Sequence, residues 1–118
     1  DTLIGVDLIC NKKLVQSDLS EADILKRLSE KPTHLILTPT GGQGYLLGRG
    51  NQQLSAEVIR RIGKENLHVL ATKEKLFHLR GRALLVDTGS EAVDKMLCGY
   101  IRVIVDYQEE QMCRIGTE

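Results

Sequence analysis

Short apolar runs alternate with helical patterns along most of the chain, and the punctuation between them is glycine, proline and hydroxyl residues. Thr2 to Ile9 reads as a strand, Asn11-Lys12-Lys13 as a tight polar turn and Leu14 to Gln16 as the returning strand, which predicts a β-hairpin at the N-terminal side. Ser20 then stands where a helix N-cap belongs, with Asp23 three residues on. Ile24, Leu25 and Leu28 recur on one face until Lys31-Pro32 stops the run near Glu30.

From His34 onward one unit appears three times: an apolar strand, a polar cap, an amphipathic helix, then glycine. His34-Leu35-Ile36-Leu37-Thr38 leads through a long polar connection to Ser55 and a helix with Val58, Ile59 and Ile62 inward, ended by Gly63. Leu67 to Ala71 leads through Thr72 to a helix with Leu76, Phe77 and Leu79 inward, ended by Gly81. Ala83 to Asp87 leads through Thr88-Gly89-Ser90 to one with Val93, Met96 and Leu97 inward, ended by Gly99. Tyr100 to Asp106 is a further strand, and Gln111 to Ile115 alternates enough to return as an antiparallel edge strand. Strands apolar on both faces and separated by single helices are the pattern of right-handed βαβ crossovers. The expected fold is therefore α/β: a three-layer, mostly parallel, Rossmann-like sheet with an N-terminal hairpin and a C-terminal antiparallel edge strand.

At 118 residues and 42% hydrophobic, the chain has material for one core, and residues 1–118 read as a single domain. It begins without Met inside an apolar run, the pattern expected of the C-terminal fragment of a longer protein. Sixteen basic and sixteen acidic residues leave no net charge, which gives no support to nucleic acid or a membrane surface as a partner. The longest apolar runs have strand length, and none suits a membrane span. Charge is nonetheless uneven: Tyr45 to Arg82 holds eight basic and three acidic residues, Ala83 to Glu118 three basic and seven acidic. That asymmetry would favour an anion near the polar connection, unless it is only a solvated face. Three cysteines without CxxC spacing, Cys10, Cys98 and Cys113, predict small core residues in a reducing cytoplasm and no disulfide framework.

The candidate chemistry lies in the polar connection. Five of the 11 glycines fall between Gly41 and Gly50, interleaved with Gln43 and Arg49 and followed by Asn51, Gln52 and Gln53. Backbone amides there can approach a bound group closely, Arg49 can neutralise an anion, and the amides can donate and accept. Neither standard phosphate fingerprint fits: no Lys follows at a Walker offset, and Leu47 stands where GxGxxG needs its last glycine. In an open parallel sheet, ligands bind beyond the carboxyl ends of the strands. The expected site therefore joins the glycine connection, Ala71-Thr72, Asp87-Thr88-Gly89-Ser90 and Asp106 at one edge. Asp87 is the leading carboxylate for a sugar hydroxyl or a metal, against a loop-ordering role; Thr88 is either a ligand or a cap, and Ser90 is a cap. His34, His68 and His78 lack ligand spacing and are read as structural, with no metal site. No Ser/His/Asp or Cys/His set is legible, and no catalytic residue is assigned.

The strings Pro39 to Gly44, Gly48 to Ser55, Val58-Ile59-Arg60-Arg61 and Leu85 to Gly89 together resemble the C-terminal region of the ATP-NAD kinase family, AcoX-like branch. The likeness runs from Leu3-Ile4-Gly5-Val6-Asp7 through Gly99 to Val103. It implies a parent chain whose N-terminal part carries a GGDGT motif and phosphorylates NAD with ATP, with ATP and NAD as ligands and a divalent metal admitted in the full-length protein. That motif is absent here. Gly41-Gly42-Gln43-Gly44 echoes it, but an amide at Gln43 can serve neither as base nor as metal ligand in the way a carboxylate does. The resemblance thus implies a cytoplasmic domain, inactive alone, in which Gly41, Gly42, Gln43, Gly44, Arg49, Asn51, Gln52, Asp87 and Thr88 contribute to a nucleotide or phosphate site shared with the missing N-terminal domain. Two alternatives stay open. One is a non-catalytic sugar-phosphate or nucleotide sensor; the other is a homo-oligomerisation domain with Tyr45, Leu46 and Leu47 at the interface.

Overall fold

The computed structural model describes residues 7–10, 12–40, 42–48 and 53–117. Leu8–Cys10 (β1) and Lys13–Gln16 (β2) form the expected antiparallel hairpin; the first six residues and Asn11 lie outside the described residues. Glu21–Glu30 (α1) starts as its sequence dictates. Asp23 N donates to Ser20 Oγ at 3.2 Å and Ser20 N to Asp23 Oδ2 at 3.2 Å, a reciprocal box that satisfies two helix-end donors.

The main sheet has six strands: Leu35–Leu37 (β3), Tyr45–Leu47 (β4), Leu67–Leu70 (β5), Leu84–Val86 (β6), Gly99–Asp106 (β7) and Glu109–Gly116 (β8), in the order β3-β5-β7-β8-β6-β4. Three helices link them: Ala56–Ile62 (α2), Lys73–His78 (α3) and Glu91–Leu97 (α4). Ser55, Thr72 and Ser90 each cap one of these through the side-chain oxygen, as read from the sequence. The three-layer α/β class and the mostly parallel sheet are those expected.

Two expectations need correction. The last strand is antiparallel to β7, as expected, but it is central: β8 lies between β7 and β6 and runs parallel to β6. The two-residue turn Tyr107-Gln108 folds β8 straight back onto β7, while α3 and α4 carry the chain alternately from one half of the sheet to the other. Hence β3, β5 and β7 run one way and β4, β6 and β8 the other. Secondly, Tyr45–Leu47 is a strand and not part of a loop. Its Leu46 and Leu47 are buried, so they fill this domain's own core and form no surface for a partner.

The sheet is also strongly curled. Six strands spaced about 4.8 Å apart would hold the two edges roughly 24 Å apart if flat. Yet Thr40, three residues past β3, exchanges hydrogen bonds with Tyr45 at the start of β4, at 2.8 and 3.2 Å. Three residues reach at most about 10 Å. The edge strands must therefore approach one another at that corner.

Helices α1, α2 and α4 pack together, α4 against β8, over a core in which Val58, Ile59, Leu97, Val69, Val86, Val103, Leu84 and Ile115 are almost wholly removed from water. Leu19 and Leu54, both in connections, complete this core. Phe77 and Met96, expected inward, are 79% and 38% exposed: each lies about 100° around its helix from the buried Leu76 or Leu97 beside it in sequence.

Candidate functional site

The glycine-rich stretch is divided by β4. On one side, residues 42–44 form a tight turn closed by the Thr40–Tyr45 pair. Gly44 has φ +75°, and a Cβ there would stand 2.6 Å from Leu79 Cδ2, so this glycine answers a packing and backbone demand. Gly42 has open space where a Cβ would stand, and Gln43 is exposed. On the other side, Gly48 leaves the carboxyl end of β4, also into open space. Gly41, Arg49, Asn51 and Gln52 lie outside the described residues.

The direction of the strands sorts the remaining candidates into two groups. Thr38, Pro39, Ala71, Thr72 and Asp106 follow the carboxyl ends of β3, β5 and β7 and line a shallow groove of about 490 Å³ with Lys75. Its polar groups have partners: Thr72 Oγ1 accepts from Lys75 N at 3.0 Å, and Asp106 Oδ1 from Tyr107 N at 2.7 Å. Beside it Lys73 Nζ lies 2.8 Å from Glu109 Oε1, and that carboxylate raises the lysine's pKa. The turn 42–44 belongs to this end of the sheet, since Gly44 O accepts from Leu85 N near the start of β6.

Asp87 and Thr88 sit at the opposite end. There β4 and β6 run parallel, and Asp87 N donates to Leu47 O at 2.8 Å, which sets Gly48 and Asp87 beside one another past adjacent strands. The expectation of one shared edge is thereby corrected: the antiparallel β7–β8 pair reverses the second half of the sheet. At this end Asp94, unnoticed in the sequence, organises the loop. Its Oδ1 accepts from Thr88 N at 2.9 Å and from Thr88 Oγ1 at 2.7 Å. The Thr88 hydroxyl also takes part in 3.3 Å contacts with Ser90 N and Ser90 O, so Thr88 orders the Asp87–Ser90 loop, and Gly89 passes through it at φ +86°. Asp87 is half-buried. Glu57, on the first turn of α2, is held below the ordinary carboxylate value by hydrogen bonds from Arg60 and then Arg61.

His34 Nδ1, on the residue before β3, and His68 Nε2, on the neighbouring β5, meet at 2.8 Å, a pairing that their spacing in sequence does not show. No cluster of three or more His, Cys, Asp or Glu suited to a metal occurs among the described residues. Cys10 is exposed rather than a core residue, because β1 belongs to the outlying hairpin; Cys98 and Cys113 are half-buried, and burial pushes the Cys113 thiol pKa up. Among the described residues no helix is long and apolar enough to cross a membrane.

Fold and site together define an α/β domain in which a glycine-rich connection and an acidic loop emerge side by side from two parallel strands. Residues 1–115 match the family model of the ATP-NAD kinase C-terminal domain, and the chain belongs to that family. No curated protein and no solved structure matches it.

Proposed function

We propose that this domain supplies one wall of a nucleotide or phosphate site in an ATP-NAD kinase-like protein of the AcoX-like branch, at the end of the sheet where Gly48 adjoins Asp87. The observation that carries this reading is the Asp87 N to Leu47 O bond of 2.8 Å: it brings Gly48, the start of the Gly48 to Gln53 stretch, against the Asp87–Ser90 loop at the carboxyl ends of β4 and β6. In this reading Arg49 neutralises phosphate charge, Asn51 and Gln52 exchange hydrogen bonds with the ligand, and Asp87 accepts from a sugar hydroxyl. Thr88 holds Asp87 in place through Asp94. Gly42, Gln43 and Gly44 act at the other end of the sheet by closing the turn, and Gly44 drops out of the ligand set.

Phosphoryl transfer asks a protein mainly to position and neutralise. The family is that of a C-terminal domain, and we assign the acidic motif for transfer to an N-terminal domain of the same cytoplasmic chain. ATP and NAD are the expected ligands, with a divalent metal held by that domain. Calorimetric titration with ATP, NAD, NADP and a simple sugar phosphate tests this. Saturable nucleotide binding should be lost in Arg49→Ala and Asp87→Asn and kept in Gly42→Ala, whose Cβ meets nothing within 4 Å. Binding untouched by Arg49→Ala and Asp87→Asn overturns the reading, and preference for the sugar phosphate alone turns it into the sensor.

A further inference from the structure

Strand pairing brings two of the chain's three histidines together. His34 comes two residues before Ile36 on the edge strand β3, and Ile36 stands opposite His68 on β5. The period of two along an extended chain therefore puts both imidazoles on one face of the sheet. His34 is exposed and His68 half-buried, so ions in solution can reach them. His34 Nδ1 and His68 Nε2 are 2.8 Å apart, with the ring centroids 5.0 Å apart and the planes tilted by 36°. At that distance one nitrogen donates its proton and the other accepts it with its lone pair.

We propose that this pair binds a divalent transition metal, Zn²⁺, Ni²⁺ or Cu²⁺, through His34 Nδ1 and His68 Nε2, with water in the remaining positions. A metal about 2.05 Å from two imidazole nitrogens, with about 100° between its bonds, sets those nitrogens about 3.1 Å apart and the ring centres about 4.9 Å apart. The ring centres already have that separation. The rings need only swing until both lone pairs converge, which parts the nitrogens by roughly 0.3 Å and asks nothing of the backbone. The donor's proton moves to the other nitrogen of its own ring, so both coordinating atoms carry a lone pair. Imidazole selects the class of ion: it suits zinc, nickel and copper, whereas Mg²⁺ and Ca²⁺ take oxygen ligands. Arg102 stands across from His68 on β7, and it lines the adjoining groove with Lys64, Glu65 and Glu110. Arg102 lies 3.9 Å from Glu110, and Lys64 Nζ donates to Cys98 O at 3.1 Å, so both cations have partners other than the imidazoles. Arg114, exposed opposite Tyr100, adds a further cation to that face. The ion is therefore held by its bonds to nitrogen and not by a surplus of negative charge.

Calorimetric titration of the tag-free, chelator-treated protein with NiCl₂ and with ZnCl₂ should show saturable binding, and MgCl₂ should show none. His34→Gln and His68→Gln should each weaken Ni²⁺ binding at least about tenfold, the loss that even a supporting partner of a metal ligand causes. His78→Gln removes an exposed imidazole beside Glu74 on α3, and Cys10→Ser an exposed thiol on the hairpin; both should leave the affinity unchanged. Proton NMR of the wild type gives a readout that no variant's folding can disturb: paramagnetic Ni²⁺ should broaden the ring signals of His34 and His68 and spare those of His78. No saturable uptake of Ni²⁺ or Zn²⁺ up to about 1 mM overturns the proposal. So does binding unmoved by both His34→Gln and His68→Gln, or broadening centred on His78, whatever the nucleotide titrations return.

Discussion

Replacing Gly44 by Ala should destabilise the domain far more than the same change two residues earlier. At φ +75° an L-residue is left-handed, which costs about 1–2 kcal/mol. The new methyl would stand 2.6 Å from Leu79 Cδ2 and 3.1 Å from Cδ1, and Leu79 is only 3% exposed, so its side chain has little room to withdraw. Overpacking of that kind costs about 1–3 kcal/mol. Reduced chain entropy in the unfolded state returns about 0.4–1 kcal/mol. The net loss is then about 2–4 kcal/mol. Urea unfolding of the two variants and the wild type, with the slopes compared, measures it. Gly42→Ala, without positive φ and without a neighbour within 4 Å, should change stability by less than about 0.5 kcal/mol. In a Leu79→Ala background the methyl finds space, and the penalty at residue 44 should fall to the strain alone, a coupling of about 1–3 kcal/mol. Equal effects at residues 42 and 44, or additivity with Leu79→Ala, would refute the reasoning. A confirmed result also means that loss of ligand binding in a Gly44 variant reports on the turn and not on a site.

Other parts of the domain give equally direct tests. Thr88→Val removes the 2.7 Å bond to Asp94 and should cost about 1–2 kcal/mol in thermal or urea unfolding, with nucleotide affinity falling alongside if Thr88 positions Asp87. Glu57 has a lowered folded-state pKa, so its contribution is present above the ordinary value of 4.5 and is lost as pH falls through the lower one; the stability gap between wild type and Glu57→Gln should be open at pH 7 and close progressively below 4.5. Cys10 is exposed while burial raises the Cys113 thiol pKa, so iodoacetamide near pH 8 should label Cys10 first and Cys113 more slowly, as peptide mapping over time will show. Equal rates at the two positions would contradict the burial of Cys113.

Local chemistry was readable wherever it depended on neighbours in sequence. The Ser20–Asp23 box, the caps at Ser55, Thr72 and Ser90, and the inward Val58, Ile59 and Ile62 follow from residue type and helical spacing, and the structure has each of them. The α/β class followed from strands separated by single helices. Tyr45-Leu46-Leu47 was hidden because three apolar residues between glycines are too few to show a period, and nothing local says that β6 waits to pair with them. Phe77 and Met96 look like core residues in a helical pattern, but each stands about 100° around its helix from the buried Leu76 or Leu97, and only the packing shows which of the two neighbours faces the core.

Composition along the chain by itself determined that glycine, Arg49 and four side-chain amides would gather in one connection, and that Asp87 would end a strand. Which of them share a surface was decided by tertiary structure alone. Strand direction is a property of pairing between distant segments, and the Tyr107-Gln108 turn, by reversing β8 against β7, sent Asp87 and Gly48 to one end of the sheet and Thr72 and Asp106 to the other. A one-dimensional pattern records that a residue is apolar; burial depends on what lies opposite it, and that is set only when the sheet closes.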